Sequence, residues 1–149
     1  MMINLIYNGN IFNSTCEALV NPVNCVGIMG AGLAKVFKSK YPSNFEKYKS
    51  ACDANTLKVG TCLTTYENGK YIINFPTKIH YSEESEYSYI SDGLDALIRH
   101  CNHYQIKSVA IPAIGCGLGG LSFGKVLRMI ECKLQFLDLN IEVFKPSRK

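Results

Sequence analysis

Short, wholly apolar runs that end in glycine-rich loops recur along this chain, and they constrain its fold more than any other feature. Ala18-Leu19-Val20-Asn21 leads into a loop with Gly27, Gly30 and Gly32, and Val109-Ala110-Ile111 leads into one with Gly115, Gly117, Gly119 and Gly120. A strand without hydrophobic alternation is covered on both faces, the condition of a parallel sheet packed between helices. Helical stripes separate these runs. Ile90, Leu94, Leu97, Ile98 and Cys101 recur at helical spacing, and so do Phe123, Val126, Leu127, Ile130, Leu134 and Leu137, with Ser122 placed as an N-cap. Further strands are predicted over 3–7, 62–66, 71–75 and 141–144. Helices are predicted over 33–40, with Leu33, Val36 and Phe37 on one face, and over 44–52, with Pro42 near its start. Asn68-Gly69 between two β-rich runs marks a hairpin, because both central residues of its turn take positive φ. Strands alternating with helices give an α/β sandwich with a largely parallel central sheet.

Composition narrows the class. With 149 residues, 47% hydrophobic, the chain holds one core, and residues 1–149 are expected to form a single domain. No apolar run approaches the roughly 18–20 residues of a membrane span. The start, Met1-Met2-Ile3-Asn4-Leu5-Ile6, lacks the basic region and cleavage site of a secretory signal. Seven cysteines, scattered without a CxxC pair, read as reduced thiols in a cytoplasmic protein. His100, Cys101 and His103 have no second pair to complete four zinc ligands, so they read as a helix end and no metal site is expected. The net charge of +4 is compatible with an anionic ligand. Lys35, Lys38, Lys40, Lys47 and Lys49 read as solvated helix faces, with a patch contacting a nucleic-acid backbone as the alternative. Glu83-Glu84-Ser85-Glu86 reads as a solvated loop and Lys145-Pro146-Ser147-Arg148-Lys149 as a frayed end.

Three segments at predicted strand ends carry chemistry, since ligands of such sheets bind beyond the carboxyl ends of the strands. In the first, residues 21–32, three glycines allow close backbone approach while Asn21 and Asn24 offer amides. In the second, Gly115, Gly117 and Gly120 satisfy GxGxxG between a strand and a helix, a setting in which backbone N–H groups at the helix start cradle a phosphate or pyrophosphate. Only 29 residues follow Gly120, too few for the sheet that a dinucleotide-binding fingerprint opens. The third is Asn74-Phe75-Pro76-Thr77-Lys78-Ile79-His80-Tyr81. Desolvation at the end of an apolar strand depresses an ammonium pKa and favours nucleophilic or acid–base work at Lys78, although a plain surface lysine is the default reading of composition alone. His80 reads as a loop or packing residue. No GxSxG elbow and no GK[ST] occurs, which removes serine-hydrolase and nucleoside-triphosphatase readings.

Four ordered motifs over 113 residues resemble the macrodomain family: Gly9-Asn10-Ile11-Phe12, residues 18–24, residues 27–34 and residues 111–121. Asn74-Phe75-Pro76-Thr77-Lys78 and the long 27–32 loop look most like the DarG-type antitoxin macrodomains, with the terminal ADP-ribose protein glycohydrolase as a second match. The resemblance implies a three-layer α/β/α sandwich with a mixed, largely parallel sheet, and an ADP-ribose site. Its residues would be Gly9, Asn10, Ile11, Asn21, Asn24, Gly27, Met29, Gly30, Gly32, Thr77, Lys78, Pro112, Gly115, Cys116, Gly117, Leu118, Gly119 and Gly120, with Asn10 toward adenine and residues 115–120 on the diphosphate. Asn24 with Gly30 would surround the distal ribose. Asn10 stands where many members carry an acid. Lys78, with Asn24, is the implied catalytic residue, acting at the anomeric carbon. The terminal glycohydrolase pairs its lysine with an aspartate at the position of Gly119, whereas DarG-type proteins carry glycine there.

The implied function is hydrolysis of ADP-ribose from a modified macromolecule, ADP-ribosylated DNA first and ADP-ribosylated protein second, with an ADP-ribosyltransferase toxin as partner. A non-catalytic ADP-ribose reader and an ADP-ribose 1″-phosphate phosphatase are the alternatives. No cofactor is expected, only ADP-ribose as ligand and product, and the expected state is a monomer away from membranes.

Overall fold

The computed structural model describes residues 2–146; Met1 and residues 147–149, part of the basic end, lie outside the described residues. The elements run β1 (Met2–Ile6), a 3-10 turn (Ile11–Asn13), β2 (Ala18–Val23), α1 (Gly32–Lys40), α2 (Pro42–Asp53), β3 (Leu63–Glu67), β4 (Lys70–Pro76), α3 (Tyr87–Tyr104), β5 (Ser108–Ile111), α4 (Phe123–Leu134) and β6 (Asn140–Phe144). They build a six-stranded sheet ordered β1-β6-β5-β2-β4-β3. Every pairing is parallel except β3 with β4. That pair is the Asn-Gly hairpin, with φ of 50° at Asn68 and 78° at Gly69. Among the described residues no helix is long and apolar enough to cross a membrane.

Both faces of the central strands are buried, as runs without alternation require. Val20, Ile73, Phe75, Val109, Ile111, Ile141 and Val143 point to α3 and α4, where Ile90, Leu94, Leu97, Val126, Ile130 and Leu134 meet them. The alternate positions Leu19, Ile72 and Ala110 face Phe37 of α1, and Val23 lies with Tyr48 and Cys52 of α2. Burial of this kind supplies roughly 1.5–3 kcal/mol per large apolar side chain. The same α2 face carries a polar network. Asn21 Nδ2 donates to Asn74 Oδ1 at 3.1 Å, Asn74 and Asn44 exchange amide bonds, and Thr65 donates to Asn44 Oδ1 at 2.6 Å. It locks β2, β4, β3 and α2 in one register directly beneath the strand ends.

Four local expectations change. Val36 is 40% exposed, because it lies about 100° around the helix from Phe37, beyond the face that meets the sheet. Ser122 occupies the N-cap position of α4 without a side-chain capping bond. In the 83–86 segment the three glutamates are exposed but Ser85 is buried, since its N–H donates to Gly119 O at 3.0 Å. Lys145 is not frayed: its N–H donates to Ile6 O at 3.0 Å, extending the β1–β6 ladder, and its ammonium lies over the Tyr7 ring. His100, Cys101 and His103 sit in the last turns of α3, as their spacing implies.

Candidate functional site

Five parallel strands end on one side of the sheet, and their carboxyl ends open into a single cleft of about 930 Å³. Ligand pockets commonly enclose about 300–1,000 Å³. Four strand spacings of about 4.8 Å make the cleft roughly 19 Å long, so it suits an extended ligand. At one end Gly9, Asn10 and Ile11 follow β1, and Phe144 ends β6 with Lys145 and Pro146 after it. Pro112, Ala113, Gly115, Gly117, Leu118 and Gly119 follow β5 in the middle. Pro22 and Val23 end β2 and Asn24, Ile28, Gly30 and Ala31 follow it, and Thr77, Lys78 and Tyr81 follow β4 at the far end. Gly32, Leu33 and Ala34, the first turn of α1, complete the wall.

The middle of the cleft is built for an anion. Among the described residues no protein acceptor takes the N–H groups of Gly117, Leu118 and Gly119. Successive unpaired N–H groups in a turn form an anion-binding concavity. The loop is held from behind by Leu121 N–H to Gly115 O at 2.9 Å and by Ser85 N–H to Gly119 O. A Cβ on Gly117 would meet nothing within 4 Å, so this residue presents bare backbone to the cleft. A Cβ on Gly119 would strike Ser85 Oγ and come within 2.6 Å of Gly115 O. An aspartate therefore cannot stand at Gly119 unless the backbone moves. The helix whose start faces the cleft is α1 rather than α4; no side chain caps its N-terminus, and its free N–H groups add positive potential to the same wall.

At the far end the loops after β2 and β4 are fastened together. Cys25 N–H donates to Ile79 O at 2.9 Å and Thr77 N–H to Val23 O at 2.9 Å. Asn24 is held on three sides: Nδ2 donates to Ile28 O at 2.8 Å, while Oδ1 accepts from Val26 N–H at 3.0 Å and from the Tyr48 hydroxyl at 2.7 Å. One Nδ2 proton is left to point at a ligand. Burial drives the Tyr48 phenol far above its ordinary pKa, so it remains a donor at every physiological pH. Lys78 is half-buried, and its Nζ donates to Tyr81 O at 3.3 Å. No carboxylate stands among the residues lining the cleft. At the opposite end Asn10 Oδ1 caps the 3-10 turn by accepting from Phe12 N–H at 3.0 Å, which leaves one lone pair and the Nδ2 protons for a ligand.

This geometry belongs to a recognisable group. The Macro domain family model matches residues 20–130. The chain belongs to the macrodomain family. This macrodomain is 39% identical, over 94% of its length, to a DNA ADP-ribosyl glycohydrolase of Mycobacterium tuberculosis, of which it covers 41%. It superposes on the macrodomain of M. tuberculosis DarG with a TM-score of 0.94 at 39% identity, covering 98% of this chain and 99% of that one. Against Thermosipho africanus DarTG in complex with ADP-ribose the TM-score is 0.90 at 31% identity, covering 99% of this chain and 42% of the other. The chain thus spans about two-fifths of the length of the curated DNA ADP-ribosyl glycohydrolases it matches.

Most of the residues singled out in the sequence converge on the macrodomain cleft: Gly9, Asn10, Ile11, Asn24, Gly30, Gly32, Thr77, Lys78, Pro112, Gly115, Gly117, Leu118 and Gly119. Asn21, Gly27, Met29, Cys116 and Gly120 do not line it. Asn21 is fully buried in the amide network, and Met29 is 2% exposed beneath the cleft floor. Gly27 packs on Cys52 and Lys49. The Cys116 thiol turns back to Ile114 O at 3.3 Å, and burial pushes its pKa up to about 11. Phe144, Lys145 and Pro146 were missed, and Tyr81 was quoted in the 74–81 segment without a role. The rule that ligands sit beyond strand ends applies to β6 as much as to β5, and it would have found these three.

Proposed function

We propose that this macrodomain binds ADP-ribose along the cleft and hydrolyses its link to a macromolecule at C1″ of the distal ribose. The observation that carries the reading is that one cleft holds the unpaired N–H groups of residues 117–119 and, two strands away, Lys78 with no carboxylate beside it. The diphosphate lies on the 117–119 turn and the α1 N-terminus, adenine near Asn10 and Phe144, and the distal ribose between Asn24 and Lys78. The reaction breaks the bond from C1″ to the acceptor atom, whose electron pair leaves with the acceptor and takes up a proton, while water's oxygen bonds to C1″. Lys78 lowers this barrier either as an uncharged amine that bonds to C1″ before water displaces it, or as an ammonium beside the leaving atom. The lysine–aspartate pair of the terminal glycohydrolase is not available, because Ser85 and the Gly115 carbonyl occupy the room a side chain at Gly119 would need.

ADP-ribosylated DNA is the favoured substrate, supported by relatives named DNA ADP-ribosyl glycohydrolases, and ADP-ribosylated protein is second. An ADP-ribosyltransferase is the expected partner, since one relative is a DNA ADP-ribosyl transferase–glycohydrolase fusion. The test is to incubate the protein with ADP-ribosylated DNA and with carboxylate-linked ADP-ribosylated protein and to measure released ADP-ribose. Release from the DNA is expected; release from neither overturns the enzymatic reading.

A further inference from the structure

The order of strand ends puts adenine at β1, diphosphate at β5 and distal ribose at β2, so whatever is bonded to C1″ emerges past Lys78, at the β4 end. What waits there is aromatic. Tyr81 lines the cleft yet is 53% exposed. Its ring lies against His80, with centroids 4.1 Å apart and planes 34° apart. The imidazole is fixed in turn, because Ser82 N–H donates to His80 Nδ1 at 3.2 Å and the Ser82 hydroxyl lies 2.7 Å from the same atom. The Lys78 ammonium donates to the Tyr81 carbonyl, tying the ring's position to that of the reacting group. Opposite, Ile28 is 47% exposed on the loop that Cys25 fastens to Ile79.

We propose that Tyr81, backed by His80, is the stacking platform for the nucleobase that carries ADP-ribose, and that it makes the site prefer a base-linked substrate over a carboxylate-linked one. The inference rests on the glycohydrolase reading above and adds to it the acceptor subsite. A nucleobase offers a π-face to a fixed ring, and each such stack contributes about 1–3 kcal/mol; a glutamate or aspartate ester offers none. The base must be unstacked to reach the platform, so the substrate is a single-stranded or extruded nucleotide.

The test measures kcat/KM for wild type, Tyr81→Ala and Tyr81→Phe on an ADP-ribosylated single-stranded oligonucleotide and on carboxylate-linked ADP-ribosylated protein, alongside binding of the modified oligonucleotide and of free ADP-ribose. Tyr81→Ala should lower the DNA-to-protein ratio of kcat/KM by about 5–150-fold, the range that such a stack sets. Tyr81→Phe, which keeps the ring, should stay within about threefold of wild type. An unchanged ratio in Tyr81→Ala, or a Phe variant as poor as Ala, overturns the platform. If the wild type releases ADP-ribose from neither substrate, the glycohydrolase reading falls and binding judges the platform. The modified oligonucleotide must then bind more tightly than free ADP-ribose by a margin that Tyr81→Ala removes, and a missing margin refutes it.

Discussion

Replacing Gly119 with alanine puts the anion-binding turn under a strain that can be worked out in advance. The added Cβ would lie 2.6 Å from Gly115 O and 3.0 Å from Gly115 C, and would also strike Ser85 Oγ. Ser85 Oγ can rotate away, but the Gly115 carbonyl is backbone, held by Leu121 N–H at 2.9 Å. Ordinary carbon–oxygen contacts need more than half an ångström of extra room, so the turn must shift or the Ser85 N–H bond to Gly119 O must break. Overpacking of this kind costs about 1–3 kcal/mol, and a lost hydrogen bond about 1 kcal/mol. At roughly 2–4 °C per kcal/mol for a chain of this size, a cost near 2 kcal/mol lowers Tm by about 4–8 °C. The N–H groups of residues 117–119 move with the turn, so ADP-ribose affinity should fall about tenfold or more in calorimetry. A Ser85→Ala change added to Gly119→Ala separates the two contacts. It relieves the hydroxyl and leaves the carbonyl, so it should restore less than half of the lost Tm. Wild-type Tm and affinity in Gly119→Ala, or full rescue by Ser85→Ala, would refute the steric argument.

Gly117 behaves in the opposite way. Gly117→Val places its side chain in open space at an ordinary φ, so Tm without ligand should stay within about 2 °C while the stabilisation by ADP-ribose disappears; a folded variant with full ADP-ribose affinity would remove this turn from the site. His100 gives a pH dependence. Burial first, then the Arg99 charge, holds its imidazole below the ordinary pKa, so below about pH 6.5 the unfolded chain binds the extra proton and stability falls as pH drops through that window. His100→Gln should flatten the decline in Tm between pH 7.5 and 5.5, and equal slopes in both proteins would exclude His100 as its source.

The sheet and its helices were legible in the sequence because doubly buried strands leave an unmistakable record. The run Val109-Ala110-Ile111 has no polar alternate, and Asn68-Gly69 names its own turn. The glycine loops were legible for the same reason, since bare backbone is a composition signal. What stayed hidden was direction. Asn21 and Asn24 look alike in the sequence, but three residues of strand geometry turn one into the buried amide network and the other to the cleft. Gly117 and Gly119 likewise look alike. One faces open space and the other abuts Ser85, a contact between residues 34 positions apart that no local pattern encodes. The part played by the α1 N-terminus was hidden too, because the GxGxxG spacing drew attention to the helix next in the chain rather than the helix nearest in space.

In the proposed reaction Lys78 does the chemistry while the rest of the cleft binds. The direct test is single-turnover release of ADP-ribose from ADP-ribosylated DNA by wild type, Lys78→Ala and Lys78→Arg, with ADP-ribose affinity measured on each. Lys78→Ala should bind ADP-ribose within a few-fold of wild type, because the proposed diphosphate and adenine contacts lie elsewhere, and should lose at least about 10²-fold in rate. Lys78→Arg, whose guanidinium stays protonated, recovers rate only if the lysine acts as a cation rather than a nucleophile. Wild-type release by Lys78→Ala would contradict the account.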